Sequence, residues 1–342
     1  MTLNFFMSSI TYLQYFIPIV IEANKREIKC IFYLRNIRKK YGDIFTEENN
    51  KILNKMISKY SITVGKIEEI NPGPIIIVDG DIYGPYKCDS DSFLHKINRN
   101  NHTIYSLQEN LNFLWTYDNF IDSIDYCIFP NKVYSEYYNK ISPKNIFIGN
   151  TRYDLILKTH KIYKKYSLDI DFKYILFMYP KTKYINKYAI KSEEILKLYS
   201  YFHNCNYKII VKTRPKDPIP IECYGDKLVS SDTYPNESLE LMKISELCIF
   251  FSSTAIEECI ISKIPFIDFC IDTELYKRYS FLYNNKICCQ INDWRTNENI
   301  NAIITKRLTK LKQKNSEVFD EIIDEFLFKG NISSKLIDFI IN

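Results

Sequence analysis

The strongest constraint in this sequence is a rhythm. Short runs of β-branched and aromatic residues recur along the chain, with helical stretches between several of them. Residues 2–7 (TLNFFM), 28–34 (IKCIFYL), 61–67 (SITVGKI), 74–81 (PIIIVDGD), 101–107 (NHTIYSL) and 125–130 (DYCIFP) are such runs, and residues 10–24 carry an amphipathic helical pattern between the first two. Near-continuous apolar strands alternating with helices predict a parallel sheet covered on both faces.

The rhythm lapses over residues 156–172, which gain charge, and restarts with YILFMYP at 174–180. It continues through a helix at 191–204, a strand at 207–215, a helix at 236–245, a strand at 247–251, a helix at 255–262 and a strand at 265–269. From about residue 301 the tail reads as amphipathic helix, basic over KRLTKLKQK and then acidic over EVFDEIIDEF, the pattern of solvated helix faces. The predicted architecture is therefore two successive doubly wound, Rossmann-like α/β domains, 1–165 and 166–342. A length of 342 residues suits two cores better than one. In such sheets ligands bind outside the carboxyl ends of the strands, here in the cleft expected between the domains.

Composition narrows the function. A net charge of +5 favours anionic ligands but is far from the concentrated basic surface of a nucleic-acid binder. The ten cysteines are scattered singly except for Cys288–Cys289, form no CxxC, and lie far from the four histidines, which argues against structural zinc and for reduced thiols. The apolar amino terminus lacks a basic n-region and a cleavage site, and Ser8, Ser9, Gln14 and Pro18 interrupt it, so a cytoplasmic location is expected. Neither a Walker A sequence nor GxGxxG is present, and no Ser-His-Asp or Cys-His set can be assembled.

The most informative stretch is IFFSSTAIEECIISKIPFI, 249–267. Ser252, Ser253 and Thr254 follow a buried strand and open a helix, where backbone N–H groups and the helix dipole favour an anion. Hydroxyls there can donate to a phosphate, and Glu257 or Glu258 can accept from a ribose diol. The plainer reading is an N-cap followed by acidic residues that complement the dipole. On the neighbouring strand end, IIVKTRPKDP places Lys212, Arg214 and Lys216 on one side of an extended chain, a candidate phosphate clamp if it is not simply an exposed basic loop. YPKTKY, 179–184, adds a third basic strand end.

These residues carry a resemblance. SELCIFFSSTAIEECIISKIPFIDF is similar to the donor-domain pattern of GT-B-fold enzymes that handle nucleotide-activated sugars or polyols. Ser252 to Glu258 falls in register with the Ser-Gly-Gly-x-x-Glu-Glu segment of UDP-N-acetylglucosamine 2-epimerases and resembles the Ser-Ser segment of CDP-glycerol glycerophosphotransferase-like capsule and teichoic-acid enzymes. IFIGNTRYDLI, 146–156, looks like the family's Gly-Asn-Pro-Arg-x-Asp link between domains, which makes Asn150 and Arg152 interdomain candidates, and DYCIFPNKVYSEYY resembles the strand and helix before it. The likeness runs over roughly residues 70–270. Two departures stand out: Thr213 occupies a usual histidine position, and YSLQENLNF lacks the family's His-Gly.

The resemblance implies a transferase moving a sugar or polyol phosphate from a nucleotide donor, bound by the second domain, to a glycan or lipid-linked acceptor at the first, in surface polysaccharide synthesis. Asp81 matches the epimerases' Gly-Asp and Glu109 their catalytic Glu, so these two are the expected general acid and base, unless they are turn and loop carboxylates. Asp79-x-Asp81 could alternatively hold a divalent metal in the other large glycosyltransferase fold. In the GT-B reading Arg214 and the helix terminus replace the metal, and no cofactor is expected. A nucleotide-sugar 2-epimerase and a catalytically degenerate binding module are the rival readings. Peripheral attachment to the inner face of a membrane and homodimerisation both stay open; no nucleic-acid partner is expected.

Overall fold

The computed structural model describes residues 1–34, 46–78, 97, 99–108, 124–131, 133, 144–154, 158–205, 207–214, 217, 219–230, 237–311, 316–328 and 330–342. They form two compact units: Met1–Leu155 with Thr233–Pro235 and Phe326–Asn342, and Ile156–Asp232 with Asn236–Glu325. Each is a parallel α/β sheet, as the rhythm of the sequence predicts.

In the first unit, β1 (Thr2–Met7) leads through a single 3-10 turn, Ile10–Tyr12, into α1 (Leu13–Lys25) and β2 (Lys29–Leu34); α2 (Glu47–Lys59) precedes β3 (Thr63–Gly65). Then come β4 (Ile75–Val78), β5 (Ile104–Leu107), β6 (Tyr126–Phe129) and β7 (Lys144–Phe147). Their order across the sheet is β3-β2-β1-β4-β5-β6-β7, all parallel, with Phe5 opposite Phe32 on one side and Ile76 on the other. Phe5, Phe6, Phe16 and Phe32 are fully buried, each a gain of about 1.5–3 kcal/mol over exposure.

The second unit follows the same plan. α3 (Thr159–Tyr166) precedes β8 (Tyr174–Met178), α4 (Thr182–Lys187), α5 (Ser192–His203), β9 (Lys208–Lys212) and β10 (Lys227–Val229). After these come α6 (Glu237–Lys243), β11 (Ser245–Phe250), α7 (Ile256–Ile261), β12 (Phe266–Phe269), α8 (Thr273–Tyr279), β13 (Cys288–Ile291), α9 (Ile300–Leu311) and α10 (Ser316–Ile322). The sheet runs β10-β9-β8-β11-β12-β13, again all parallel. Chain order reverses between β8 and β11, which makes their carboxyl ends the unit's switch point, the place where such sheets bind ligands.

The units divide differently from the expected 165/166 split. α3 packs on α6, and the Tyr166 hydroxyl donates to the buried Glu240 carboxylate at 2.6 Å, so the charged segment after residue 157 belongs to the second core. Conversely the last part of the tail, Phe326–Asn342, does not stay with the second unit. α11 (Ile332–Ile341) packs on α1 and on the 3-10 turn Thr151–Asp154 of the first unit, burying Ile332, Leu336, Ile337 and Ile340. Asp154 fixes its start, accepting from the Ile332 and Ser333 amides at 3.0 and 2.6 Å.

Candidate functional site at the carboxyl ends of the second sheet

β11 delivers Phe251 into the core, its ring 5.5 Å from those of Phe177 and Phe269 and 5.7 Å from Trp294. The next residue turns out of strand geometry. Ser252 has φ +50, a left-handed conformation that costs a non-glycine residue about 1–2 kcal/mol. Three hydrogen bonds offset that cost: its amide donates to Asp268 Oδ1 at 2.7 Å, and its Oγ accepts from the Ile271 and Asp272 amides, both at 2.9 Å. Its own proton points to Cys270 Sγ at 3.9 Å. Sequence reasoning expects this hydroxyl on a phosphate; instead it is 2% exposed and joins the turn after β11 to the turn after β12. Ser253 is half-buried, its Oγ accepting from the Ala255 amide at 3.2 Å, and Thr254 is exposed. These two hydroxyls are the ones at the surface of the turn. α7 begins at Ile256, and Glu257 and Glu258 in its first turn are both buried, whereas a ribose contact calls for an open carboxylate.

The β9 end divides the predicted basic cluster. Lys212 is 4% exposed; its Nζ donates to the Thr213 carbonyl at 2.7 Å and lies 3.9 Å from Glu237. This lysine therefore serves the interior, where a buried ammonium needs a carboxylate and a hydrogen-bond acceptor. The Thr213 hydroxyl donates to the Asp217 carbonyl at 2.9 Å, and Asp217 Oδ1 accepts from the Thr182 amide at 3.0 Å, so the loop after β9 is tied to the start of α4. Arg214 is half-buried. Burial pushes the Tyr184 phenol up, Asp272 adds to this, and Lys187 and Arg214 pull the other way. Tyr184 thus senses charges carried by the ends of β9 and β12 and by its own helix. Lys181 adds another, 5.7 Å above the Tyr184 ring. Lys216, Asp79, Asp81 and Glu109 lie outside the described residues.

In the first unit, Asn150 and Arg152 follow β7. Asn150 Oδ1 accepts from the Arg152 amide at 3.2 Å, and the Arg152 guanidinium donates to the Tyr15 hydroxyl at 3.3 Å while lying over the Tyr153 ring. Thr151 Oγ1 donates to the Tyr15 carbonyl at 3.0 Å, and Gly149, at φ +111, lies so near Ile332 that a Cβ would meet it at 2.9 Å. The GNTRYD segment thus clasps α1 and α11 within that unit.

Sequence reasoning overlooks Asp268 and Asp272. Asp268 is a lone carboxylate inside an apolar strand, which is the signal that could have found it. Asp272 N-caps α8, accepting from the Glu274 and Leu275 amides at 3.1 Å. Among the described residues no histidine lies at a strand's carboxyl end: His102 precedes β5, His160 lies in α3 and His203 ends α5. Eight of the nine described cysteines are buried packing residues, with burial pushing the Cys127 and Cys288 thiols up to about 12. Among the described residues, the second unit's strand ends therefore offer cations and hydroxyls suited to holding an anion, without an imidazole to move a proton.

Among the described residues no helix is long and apolar enough to cross a membrane. No protein-family model matches the sequence, and no curated protein matches it. Solved structures do. UDP-GlcNAc 2-epimerase from Neisseria meningitidis, bound to UDP-GlcNAc, is similar at a TM-score of 0.62 with 11% identity over 100% of both chains. UDP-GlcNAc 2-epimerase from Methanocaldococcus jannaschii is similar at 0.60 with 13% identity, over 100% of this chain and 99% of that one. The wall teichoic acid polymerase TagF, as an H444N variant soaked with CDPG, is similar at 0.63 with 14% identity, over 99% of this chain and 87% of that one. At such identities the likeness speaks for the fold: this chain has the GT-B fold, two parallel α/β units of seven and six strands.

Proposed function

We propose that the chain binds a nucleotide-activated sugar or polyol at the carboxyl ends of β8, β9, β11 and β12 and transfers the activated group to a glycan or lipid-linked acceptor. The observation that carries this reading is the Ser252 turn: a strained, cross-strapped step at the switch point of the second sheet, with Ser253 and Thr254 at its surface and Arg214 on the next strand end but one. Arg214 matches a diphosphate by its planar fork, and two hydroxyls add donors, so negative charge developing on the leaving group meets fixed positive groups. Ser252 and Lys212 support the site from within rather than touching the ligand. Proton transfer falls to the first unit, to Asp81 and Glu109.

The likeness to 2-epimerases over the full chain keeps that reaction as the second reading. Against it stands Thr213, whose hydroxyl is bound to the Asp217 carbonyl where an acid or base would be needed. Saturation-transfer NMR with UDP-, CDP- and GDP-activated sugars and CDP-glycerol tests the site: the folded protein is expected to bind at least one, and binding of none would overturn the reading. Deuterium uptake from solvent at C2 of UDP-GlcNAc, with no acceptor present, would instead favour the epimerase. Donor binding with no product over a broad acceptor panel would identify a binding module.

A further inference from the structure

Asp268 sits in the middle of β12, fully buried, between residues whose side chains are apolar. Both of its oxygens are occupied. Oδ1 accepts the Ser252 amide at 2.7 Å, and Oδ2 accepts the Tyr283 hydroxyl at 2.6 Å. Among the described residues it has no cationic partner, and burial pushes its carboxyl up while Tyr283 and the Ser252 amide draw it back. A buried carboxylate without a counter-ion costs stability that an apolar residue in this strand would not. Such a group persists where geometry depends on it.

The geometry here joins three segments distant in sequence. Through Ser252, Asp268 holds the turn after β11; through the Ser252 hydroxyl that turn holds the Ile271 and Asp272 amides after β12; and Tyr283 ties in the segment before β13, its ring stacked edge-on with Tyr276 and Phe266. Asp272 is the cap of α8 and one of the charges felt by Tyr184.

We propose that Asp268 is the positioning residue of the strand-end site: by fixing Ser252 in its left-handed conformation it presents Ser253 and Thr254 to the ligand's phosphates and sets the loop carrying Asp272. This rests on the nucleotide-site reading for its ligand, but not for its mechanics. Asp268→Ala removes the acceptor of the Ser252 amide. Asp268→Asn keeps it, because the side-chain carbonyl accepts from Ser252 while its NH₂ donates to the Tyr283 oxygen.

The test combines amide hydrogen exchange, followed by NMR, with titrations of UDP and CDP. Asp268→Ala is expected to speed exchange at Ser252, Ile271 and Asp272 by about tenfold or more, and to weaken nucleotide binding by a similar factor. Asp268→Asn is expected to restore both to within about threefold of the unaltered protein. Tyr283→Phe, which removes only the second hydrogen bond, is expected to fall between them and serves if the alanine variant does not accumulate. Unchanged exchange at Ile271 and Asp272 in the Ala and Phe variants, or an Asn variant as damaged as the Ala variant, would overturn the proposal. If the unaltered protein binds neither UDP nor CDP, the ligand assignment fails, and the exchange comparison still decides whether Asp268 sets the two turns.

Discussion

Each sheet ends a buried strand beside its switch point in a pair of serines, Ser8–Ser9 after β1 and Ser252–Ser253 after β11, and the two pairs are held in opposite ways. The first is local. Ser9 is extended, with φ −147, and caps the following turn through Thr11, two residues on. Ser8 Oγ is buried with no hydrogen-bond partner among the described residues. The second is long-range: Ser252 is left-handed and bound to groups 16, 19 and 20 residues away. The same dipeptide therefore makes a helix cap in one unit and a strut between loops in the other. The partner decides, and partners that far off leave no trace in a local window of sequence.

The contrast can be broken by mutation. Ser252→Ala strands two partly buried amides and is expected to cost about 2–4 kcal/mol, whereas Ser8→Ala removes an unsatisfied hydroxyl and should be near neutral or slightly stabilising. Denaturant unfolding of the two variants side by side decides this, and equal losses would erase the distinction. Arg214→Ala sharpens the functional half. Losing a charge-assisted pair to phosphate is worth about 1.5–3 kcal/mol, so nucleotide affinity should fall about 10- to 100-fold with thermal stability nearly unchanged.

The smallest expected effect concerns acid stability. In the first unit the Lys25 ammonium, against opposing burial and with Arg26 assisting, holds Glu22 below the usual carboxylate range. In the second, burial pushes Glu194 up, and the Lys191 amide and Arg295 guanidinium more than reverse it. Both folded values are depressed. Each contribution is therefore present above the unfolded carboxyl range and is lost as pH falls through the lower, folded one. Arg295→Ala should therefore lower stability by less than about 1 kcal/mol at neutral pH, a difference that fades as pH falls through the carboxyl range; a loss that appears only in acid would contradict it.

How much of this was legible follows from the same distinction. Runs such as IIIV at 75–78 and LCIFF at 247–251 announce themselves because a strand buried on both faces must be apolar throughout. The strands KNIF, KLV and CCQI escape notice because β7, β10 and β13 are edge strands, short and polar enough to resemble loop. At the site, the hydroxyl step after β11 and Arg214 could be picked out as an unusual run at a strand end. That Ser252 and Lys212 turn inward could not, since only the positions of Asp268, the loop after β12 and Glu237 decide it. The even spacing of Lys212, Arg214 and Lys216 suggests one shared face; Lys212 shows that a strand end can send its first cation into the core.

The packing of α11 on α1 has a consequence for biosynthesis. The second unit is, in covalent terms, an insertion within the first: the polypeptide leaves at residue 155 and comes back at 326. A ribosome therefore emits everything the inserted body needs before it emits Ile332–Ile341, and the amino-terminal body, although begun first, must await that helix to cover Leu13–Lys25. During translation, the half of the molecule started earliest is the one finished last.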